Sequence, residues 1–223
     1  MAIEVLSEIV ANQIAAGEVV NRPSSVVKEL LENSIDSGAN EILLIVKDAG
    51  RTLIQVKDNG CGMSKEDAQK CFLPHATSKI KSSEDLLNLT TMGFRGEALS
   101  SIASISQIEL QTRREEDELG TKVIIEGGIV KEVCDVSCPK GTNIFVKNIF
   151  FNTPARRNFL KSDSVEFSHI NEEFIRVALV NTDVSFILYH NEQMQYRLEQ
   201  GNQKRRIIEI FGSNLKEKLL PIE

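Results

Sequence analysis

The sequence of 223 residues lacks the marks of several protein classes. No apolar run approaches the length of a membrane span, and the N-terminus does not show the basic and then apolar pattern of a signal peptide. The four cysteines form no Cys-x-x-Cys pair and the three histidines are scattered, which disfavours a zinc site and indicates reduced thiols. We therefore expect a cytoplasmic protein without a membrane partner.

Charge and glycine patterns exclude further classes. A formal net charge of −6 disfavours a uniformly basic nucleic-acid binder, although it is compatible with a local basic patch. No Gly-x-x-x-x-Gly-Lys-Ser/Thr motif occurs, so a P-loop is absent. Gly60-Cys61-Gly62 follows a predicted strand, but Lys65 stands where a dinucleotide-binding fingerprint needs its third glycine.

The order of the predicted elements indicates an α+β fold. Gly17 is predicted to end a first helix over residues 7–16, Pro23 to begin a second, and Thr153 to cap a helix that starts at Pro154. Hairpins and helices follow one another without regular alternation, so we expect helices packed on one face of a mostly antiparallel sheet. Further helices are predicted at 64–72, 96–103, 167–178 and 204–211, and strands at 42–47, 53–57, 105–111, 121–125, 129–133, 143–147 and 184–188.

The helix predicted over residues 26–36 carries an unusual polar face. Glu29, Glu32, Asn33 and Asp36 fall on one side, whereas the apolar residues between them fall on the other. This stripe contains no basic residue, although Lys28 lies beside it and could pair with Glu32. The pattern fits either a solvated surface or a face that binds a metal and a nucleotide.

Two glycine-rich segments favour the second interpretation. Asp58-x-Gly60-x-Gly62 places an acceptor for an exocyclic amine beside a backbone with little side-chain bulk, although the same sequence is typical of a plain turn. The segment 93–99, Gly-Phe-Arg-Gly-Glu-Ala-Leu, leads into a helix whose first N–H groups suit a polyphosphate. The connection before it, rich in Ser, Thr and Lys, predicts a lid or binding loop.

These motifs together resemble the N-terminal ATPase domain of the MutL DNA mismatch-repair family. That family belongs to the GHKL superfamily, with gyrase, the ninety-kilodalton heat-shock chaperone and histidine kinases. The resemblance implies a Bergerat-type two-layer sandwich and covers the chain from about residue 3 onward. It is carried by residues 11–20, 28–34, 58–62, 75–79, 93–99 and 151–157, which read ANQIAAGEVV, KELLENS, DNGCG, HATSK, GFRGEAL and FNTPARR.

The resemblance also implies roles for individual residues, with ATP and Mg²⁺ as cofactors. Glu29 is expected to be the general base, Asn33 the Mg²⁺ ligand, and Asp58 the acceptor for the adenine amine, with Thr142 nearby. Lys79 and the backbone of 94–99 are expected to hold phosphates, within a lid over 74–95. The full cofactor-binding set is Asn33, Asp58, Gly60, Gly62, Met63, Thr77, Ser78, Lys79, Gly93, Phe94, Arg95, Gly96, Glu97, Ala98, Leu99 and Thr142.

The same resemblance implies partners and a domain organisation. The ATPase domain is expected over residues 1–200, with the start of a second domain over 201–223, so the chain is interpreted as an excised fragment. A second copy is expected to pair through the N-terminal segment when ATP binds, and mismatch-recognition and other repair proteins are expected partners of this bacterial, nucleoid-associated protein. The family places a further phosphate-contacting lysine in the next domain, which predicts stronger binding than hydrolysis here.

Three questions stay open at this level. DNA phosphates are candidate ligands of two basic clusters, Arg156-Arg157 with Lys161 and Lys204-Arg205-Arg206, although exposed basic helices are common. Another GHKL activity, a histidine kinase or a chaperone, is the first alternative, but no histidine has the setting of a phosphate acceptor. A DNA-binding module that does not use nucleotide is the second, and Glu29, Asn33 and Asp58 disfavour it.

Overall fold

A computed structural model describes residues 7–79, 92–93 and 96–215. Within these residues the chain forms seven α-helices, eight strands and two short 3₁₀ turns. The helices are α1 (Glu8–Val19), α2 (Pro23–Asp36), α3 (Lys65–Lys70), α4 (Ala98–Ser104), α5 (Pro154–Phe159), α6 (Asp163–Val180) and α7 (Gln203–Phe211). The strands are β1 (Glu41–Lys47), β2 (Leu53–Asp58), β3 (Gln107–Arg113), β4 (Gly120–Glu126), β5 (Ile129–Val136), β6 (Gly141–Lys147), β7 (Ser185–His190) and β8 (Gln193–Leu198). The turns are Asp48–Gly50 and Ser213–Leu215.

The strands build one mixed sheet in the order β5-β4-β3-β6-β2-β1-β7-β8. Each neighbouring pair is antiparallel except β1 and β7, which run parallel. Alternate residues of β1 and β2 are buried, as expected for a sheet covered on one face. The predicted α+β fold with a mostly antiparallel sheet is therefore confirmed.

The core lies between the sheet and the helices α2 and α6. The apolar side of α2, formed by Val26, Val27, Leu30 and Leu31, is buried against this core. The predicted stripe on α6 is also buried in part, with Ile170, Phe174, Val177 and Ala178 each at most 6% exposed. Burial of these faces leaves the polar stripe of α2 at the edge of the core, where a site can form.

Three local predictions are wrong. The first helix does not end at Gly17 but continues to Val19, because Ala16 and Val20 are fully buried and their packing outweighs the low helix propensity of glycine. Thr153 precedes α5, but its side chain makes no capping hydrogen bond. Its φ of −129° and ψ of 70° differ from the usual cap geometry. The strand β8 has no counterpart among the predicted strands.

Candidate functional site

The polar face of α2 is present as predicted, and Lys28 pairs with its first turn. Lys28 Nζ lies 3.4 Å from Glu29 Oε1 and 3.3 Å from Glu32 Oε1. Burial raises the pKa of the Glu32 carboxyl, and the charge of Lys28 opposes this shift. Asn33 follows Glu29 by one helical turn on the same face. The first turns of the stripe are thus half-buried acids beside the Lys28 ammonium group, rather than a fully solvated surface.

Asp58 ends β2 and is held by three hydrogen bonds. Ser34 Oγ donates to Oδ2 over 2.9 Å, while the backbone N–H groups of Gly60 and Thr142 donate to Oδ1 over 2.9 and 3.2 Å. Burial raises the pKa of Asp58, and the bonds from Gly60, Ser34 and Thr142 oppose this shift. A carboxylate satisfied in this way has a defined orientation, which suits a group that must recognise one ligand atom.

The register of the sheet explains why Thr142 lies beside Asp58. Asp58 pairs with Thr142 across β2 and β6, and Thr142 pairs with Thr112 across β6 and β3. The hydroxyl oxygens of the two threonines are 3.1 Å apart, and Met63 N–H donates to Thr112 Oγ1 over 3.0 Å. One row across three strands therefore places the predicted site residues Asp58 and Thr142 beside Thr112.

The glycines after Asp58 are required by the protein's own packing. Gly62 has a φ of +69°, and a Cβ there would lie 2.1 Å from the Arg113 carbonyl oxygen. A Cβ at Gly60 would lie 1.9 Å from Ser37 Oγ. Sequence reasoning attributes these glycines to the approach of a flat ring, whereas close contact with β3 and α2 already requires them.

A second group of contacts forms at the C-terminal end of α2. Lys79 Nζ lies 3.0 Å from Asn33 Oδ1 and 2.5 Å from Asp36 Oδ2. Asp36 also accepts hydrogen bonds from the backbone N–H groups of Met92 and Gly93, at 3.1 and 3.3 Å. The Asp36 side chain is only 8% exposed. Asp36 therefore contacts both Lys79 and the backbone of residues 92–93. The Lys79 ammonium also contacts the amide oxygen of Asn33, which is the atom predicted to bind Mg²⁺.

The other predicted residues lie in the adjoining loop and at the start of α4. Thr77 Oγ1 accepts a hydrogen bond from Lys79 N–H over 3.2 Å, and Ser78 is exposed beside it. Glu97 precedes α4 and its carboxylate lies 3.3 Å from His75 Nδ1. Gly96, Ala98 and Leu99 are half-buried in this region. Phe94, Arg95 and most of the predicted lid lie outside the described residues.

Two neighbouring residues of α2 connect the contacts around Asp58 with the contacts around Lys79. Asn33 contacts Lys79, and Ser34, the next residue along the helix, contacts Asp58. The structure therefore places Asn33, Asp58, Lys79 and Thr142 in one region, with Glu29 one turn away. Sequence reasoning missed Ser34, Thr112 and the contacts of Asp36. Ser34 could have been suspected from its place beside Asn33, but Thr112 becomes evident only from the strand register.

One member of a predicted basic cluster, Arg206, is wrong as a candidate for surface contacts. Arg206 is 1% exposed, and its guanidinium donates to the backbone carbonyl groups of Ala178, Asn181 and Val184, among others. It therefore joins α7 to the end of α6 and cannot contact a phosphate at the surface. Lys204 and Arg205 are exposed, but Arg205 Nε is bonded to Glu209 over 2.7 Å.

The fold and these side chains together define an ATPase of the GHKL class. The family model described as "Histidine kinase-, DNA gyrase B-, and HSP90-like ATPase" matches residues 21–135. The solved structure "Aquifex aeolicus MutL ATPase domain complexed with ADP" is 32% identical with a TM-score of 0.74, over 86% of this chain and 70% of that one.

Comparison with longer curated proteins identifies the family more narrowly. The DNA mismatch repair protein MutL of Flavobacterium psychrophilum is 57% identical over 221 residues, which are 99% of this chain and 36% of that protein. MutL of Porphyromonas gingivalis is 56% identical over 220 residues, again 99% of this chain and 36% of that protein. The chain belongs to the MutL family and corresponds to its ATPase domain. It spans about a third of the length of these curated relatives.

Membership in the MutL family favours the mismatch-repair prediction over the kinase and chaperone alternatives. In the described parts of the chain, no helix is long and apolar enough to cross a membrane. The DNA contacts and the boundary between residues 200 and 201 stay predictions.

Proposed function

We propose that this domain binds ATP with Mg²⁺ and hydrolyses it, with Glu29 as general base. This proposal rests mainly on Asn33 and Ser34, which are consecutive residues of α2. Asn33 contacts Lys79 and Ser34 contacts Asp58, so the helix connects the two sets of contacts. One rigid helix can therefore set the distance between a base-recognition group and a phosphate-binding group.

Asp58 is the proposed acceptor for the exocyclic amine of adenine. Its carboxylate is buried and held by donors from α2, the 60–62 loop and β6. A guanine base would present a carbonyl oxygen where adenine presents an amine, and a carboxylate would repel it. Asp58 would thus supply selectivity for adenine nucleotides, with Gly60, Gly62, Met63 and Thr142 as the other proposed residues of the adenine site.

Asn33 is the proposed side-chain ligand of Mg²⁺. Its amide oxygen is a hard donor, and a cation, the Lys79 ammonium, already lies on it. Among the described residues, no group of three His, Cys, Asp or Glu side chains is placed to hold a metal alone. Mg²⁺ would therefore be held jointly by Asn33 and the nucleotide, and it would neutralise charge on the phosphates.

Glu29 is the proposed base because it lies one turn from Asn33 on the same face. A carboxylate in that place can accept a proton from water that approaches the terminal phosphate. Lys28 is close enough to orient this carboxylate. Lys79, Thr77, Ser78 and the 93–99 segment would hold phosphate oxygens through an ammonium group, hydroxyls and backbone N–H groups.

At the level of the whole protein, we propose an ATP-gated switch in mismatch repair. ATP would order the segment 74–95 and pair two copies through their N-terminal segments, and hydrolysis would separate them. Mismatch-recognition proteins and DNA are the proposed partners, with Arg157 and Lys161 as exposed candidates for phosphate contacts. Residues 1–200 and 201–223 are the proposed domains.

The base assignment is tested by comparing two carboxamide variants of the same helix face. Glu29→Gln should retain binding of a non-hydrolysable ATP analogue and lose roughly 100-fold or more of the phosphate-release rate, the usual contribution of a general base. Glu32→Gln removes an equal charge one turn away, near the same lysine, and should retain most of the rate. Equal rates for the two variants would refute Glu29 as the base.

A further inference from the structure

The segment 150–157 follows β6 and includes the first part of α5. It contacts two other helices, α4 and α1. Phe150 N–H donates to the Ile105 carbonyl over 2.7 Å, and Asn152 Nδ2 donates to the Ser104 carbonyl over 2.8 Å. Both acceptors lie at the C-terminal end of α4, and α1 packs against α4. The segment is therefore anchored on the helix whose N-terminal end belongs to the predicted phosphate-binding region.

Arg156 extends from this segment to α1. Its Nη2 donates to the Ile14 carbonyl over 3.2 Å, although Ile14 lies in the middle of a helix. The carbonyl of a helical residue already accepts an internal bond, and a cationic donor can share its second lone pair. Arg156 thus contacts the backbone of α1 and does not extend into solvent as its neighbour Arg157 does.

Gly17 provides the space that this contact needs. A Cβ at Gly17 would lie 1.9 Å from Arg156 Nη2 and 2.5 Å from Cζ. Every other residue type has a Cβ, so any substitution would displace the guanidinium from the surface of α1. The presence of glycine inside this helix is otherwise unfavourable, because alanine is the better helix former.

Several polar groups near this contact are buried without a partner in the described parts of the chain. They are Asn152 Oδ1, Thr153 Oγ1 and Arg156 Nη1. Buried groups without hydrogen bonds weaken the state that contains them. The docked position of α1 therefore combines apolar packing through Ala16 with polar groups that lack partners, so it is less stable than its burial alone would suggest.

The outer side of α1 presents apolar residues to solvent. Val10 and Ile14, one turn apart, are 40% and 56% exposed. These side chains lie on the helix whose backbone Arg156 contacts. The orientation of α1 on the domain consequently decides where this apolar pair is presented.

We propose that Arg156 is a positioning residue that docks α1 against the ATPase core, with Gly17 as its seat. This contact would control whether α1 is available to a second copy of the chain, a consequence that rests on the proposed ATP-dependent pairing. The motif 151–157 then acts inside the domain through Arg156, and of the two arginines in α5 only Arg157 is exposed. The predicted cluster of Arg156, Arg157 and Lys161 is thereby divided in function.

Hydrogen exchange of peptides covering residues 8–20, measured without nucleotide, tests the docking. Arg156→Ala should accelerate exchange in α1 about tenfold, whereas exchange in α6 should not change, so global unfolding is excluded as the cause. Arg157→Ala is the matched control and should leave α1 unchanged. Equal exchange in the wild type and Arg156→Ala would overturn the proposal.

A double-mutant cycle with Gly17→Ala gives a second, independent test. In the wild-type background Gly17→Ala should accelerate exchange in α1, because the new methyl group displaces the guanidinium. In the Arg156→Ala background the same substitution should slow exchange, because alanine favours the helix and no guanidinium is displaced. An identical effect in both backgrounds would overturn the assignment of Gly17 as the seat.

The docking and the proposed function can fail separately. Addition of an ATP analogue with Mg²⁺ to the wild type should change α1 exchange if ATP controls this helix. Unchanged exchange despite demonstrated binding would contradict the ATP-gated switch. The two tests made without nucleotide would still decide whether Arg156 docks α1.

Discussion

The two ends of the candidate site differ in how their side chains are held. At the Asp58 end, a single carboxylate accepts bonds from neutral donors on α2, the 60–62 loop and β6. At the Lys79 end, charged groups satisfy one another, with the ammonium between Asp36 and Asn33. The Asp58 carboxylate is thus held in place by the fold, whereas the Lys79 ammonium is already paired with Asp36.

This difference coincides with the division between the proposed base-recognition residue, Asp58, and the proposed phosphate-binding residue, Lys79. Asp58 needs no rearrangement before it accepts a hydrogen bond, so its contribution to affinity is not reduced by reorganisation. Lys79 can contact a phosphate only after it leaves Asp36, or if its ammonium N–H groups are shared between Asp36 and the phosphate. We therefore expect substitutions at the Asp58 end to weaken binding strongly, and substitutions at the Lys79 end to have smaller effects or effects of opposite sign.

The largest effect is expected for Asp58→Asn. The variant retains an oxygen for the Gly60 and Thr142 N–H groups, and its amide can donate to Ser34 Oγ, so the folded state is preserved. It loses a charged acceptor for the adenine amine, which should weaken ATP-analogue binding by roughly 10- to 100-fold. Calorimetric titration with adenine and guanine nucleotides measures both the loss of affinity and the loss of selectivity. An unchanged preference for adenine would refute the role of Asp58.

A smaller effect, about tenfold, is expected for Asn33→Ala. This variant removes the amide oxygen proposed to bind Mg²⁺, while Asp36 remains to hold Lys79. The affinity for the ATP analogue should fall only when Mg²⁺ is present, and binding without Mg²⁺ should be nearly unchanged. A parallel loss with and without the metal would contradict the ligand assignment and indicate a general structural role.

The Ser34→Ala variant should reduce affinity about fivefold and change its pH dependence, because it removes a hydrogen bond from a neutral donor to the Asp58 carboxylate. Burial raises the pKa of Asp58, and the Ser34 bond opposes this, so its loss should raise the pKa further. If the ionised carboxylate binds adenine as proposed, affinity should be lost as the pH falls through this pKa. The acid limb of the affinity profile should therefore move to higher pH.

Stability should follow the same linkage with a definite sign. A carboxyl whose pKa is raised by folding binds its proton more tightly in the folded state. Its contribution to the free energy of unfolding is therefore present at low pH and is lost as the pH rises through the folded-state pKa. Ser34→Ala should consequently destabilise the domain more at neutral pH than under acid conditions. Denaturant unfolding across this range provides the measurement, and a pH-independent loss would contradict the coupling of Ser34 to Asp58.

The helical parts of the site were accessible to sequence reasoning because helical spacing is regular. The spacing of Glu29, Asn33 and Asp36 places them on one face wherever α2 packs, and the apolar residues of α2 identify the buried side. The predicted order of hairpins likewise led to the antiparallel sheet. In these cases, short-range periodicity alone determined the local structure.

Contacts between distant segments could not be predicted in this way. The row from Asp58 through Thr142 to Thr112 depends on the register of three strands far apart in sequence. Arg206 resembles any exposed helical arginine until α7 is placed against the end of α6. Gly17 resembles a helix stop until Arg156, more than a hundred residues later, is brought against it. The errors at Arg206 and Gly17 share one cause, which is that tertiary packing overrode a local preference.

The smallest effect, and the one of opposite sign, is expected for Asp36→Asn. Without the carboxylate, the Lys79 ammonium loses an ion pair at 2.5 Å and becomes available to phosphate. The two side chains are 18% and 8% exposed, and desolvation of such a pair offsets most of its attraction, so Mg²⁺-free binding of ATP should tighten about two- to fivefold. Glu32→Gln is the matched control, because it removes an equal charge from the same face of α2 where Lys28, not Lys79, is the partner. Equal tightening in both variants would indicate general charge repulsion, whereas weaker binding in Asp36→Asn would mean that Asp36 holds Lys79 in its working position. Only tightening specific to Asp36 fits a phosphate end that must release its lysine before it binds.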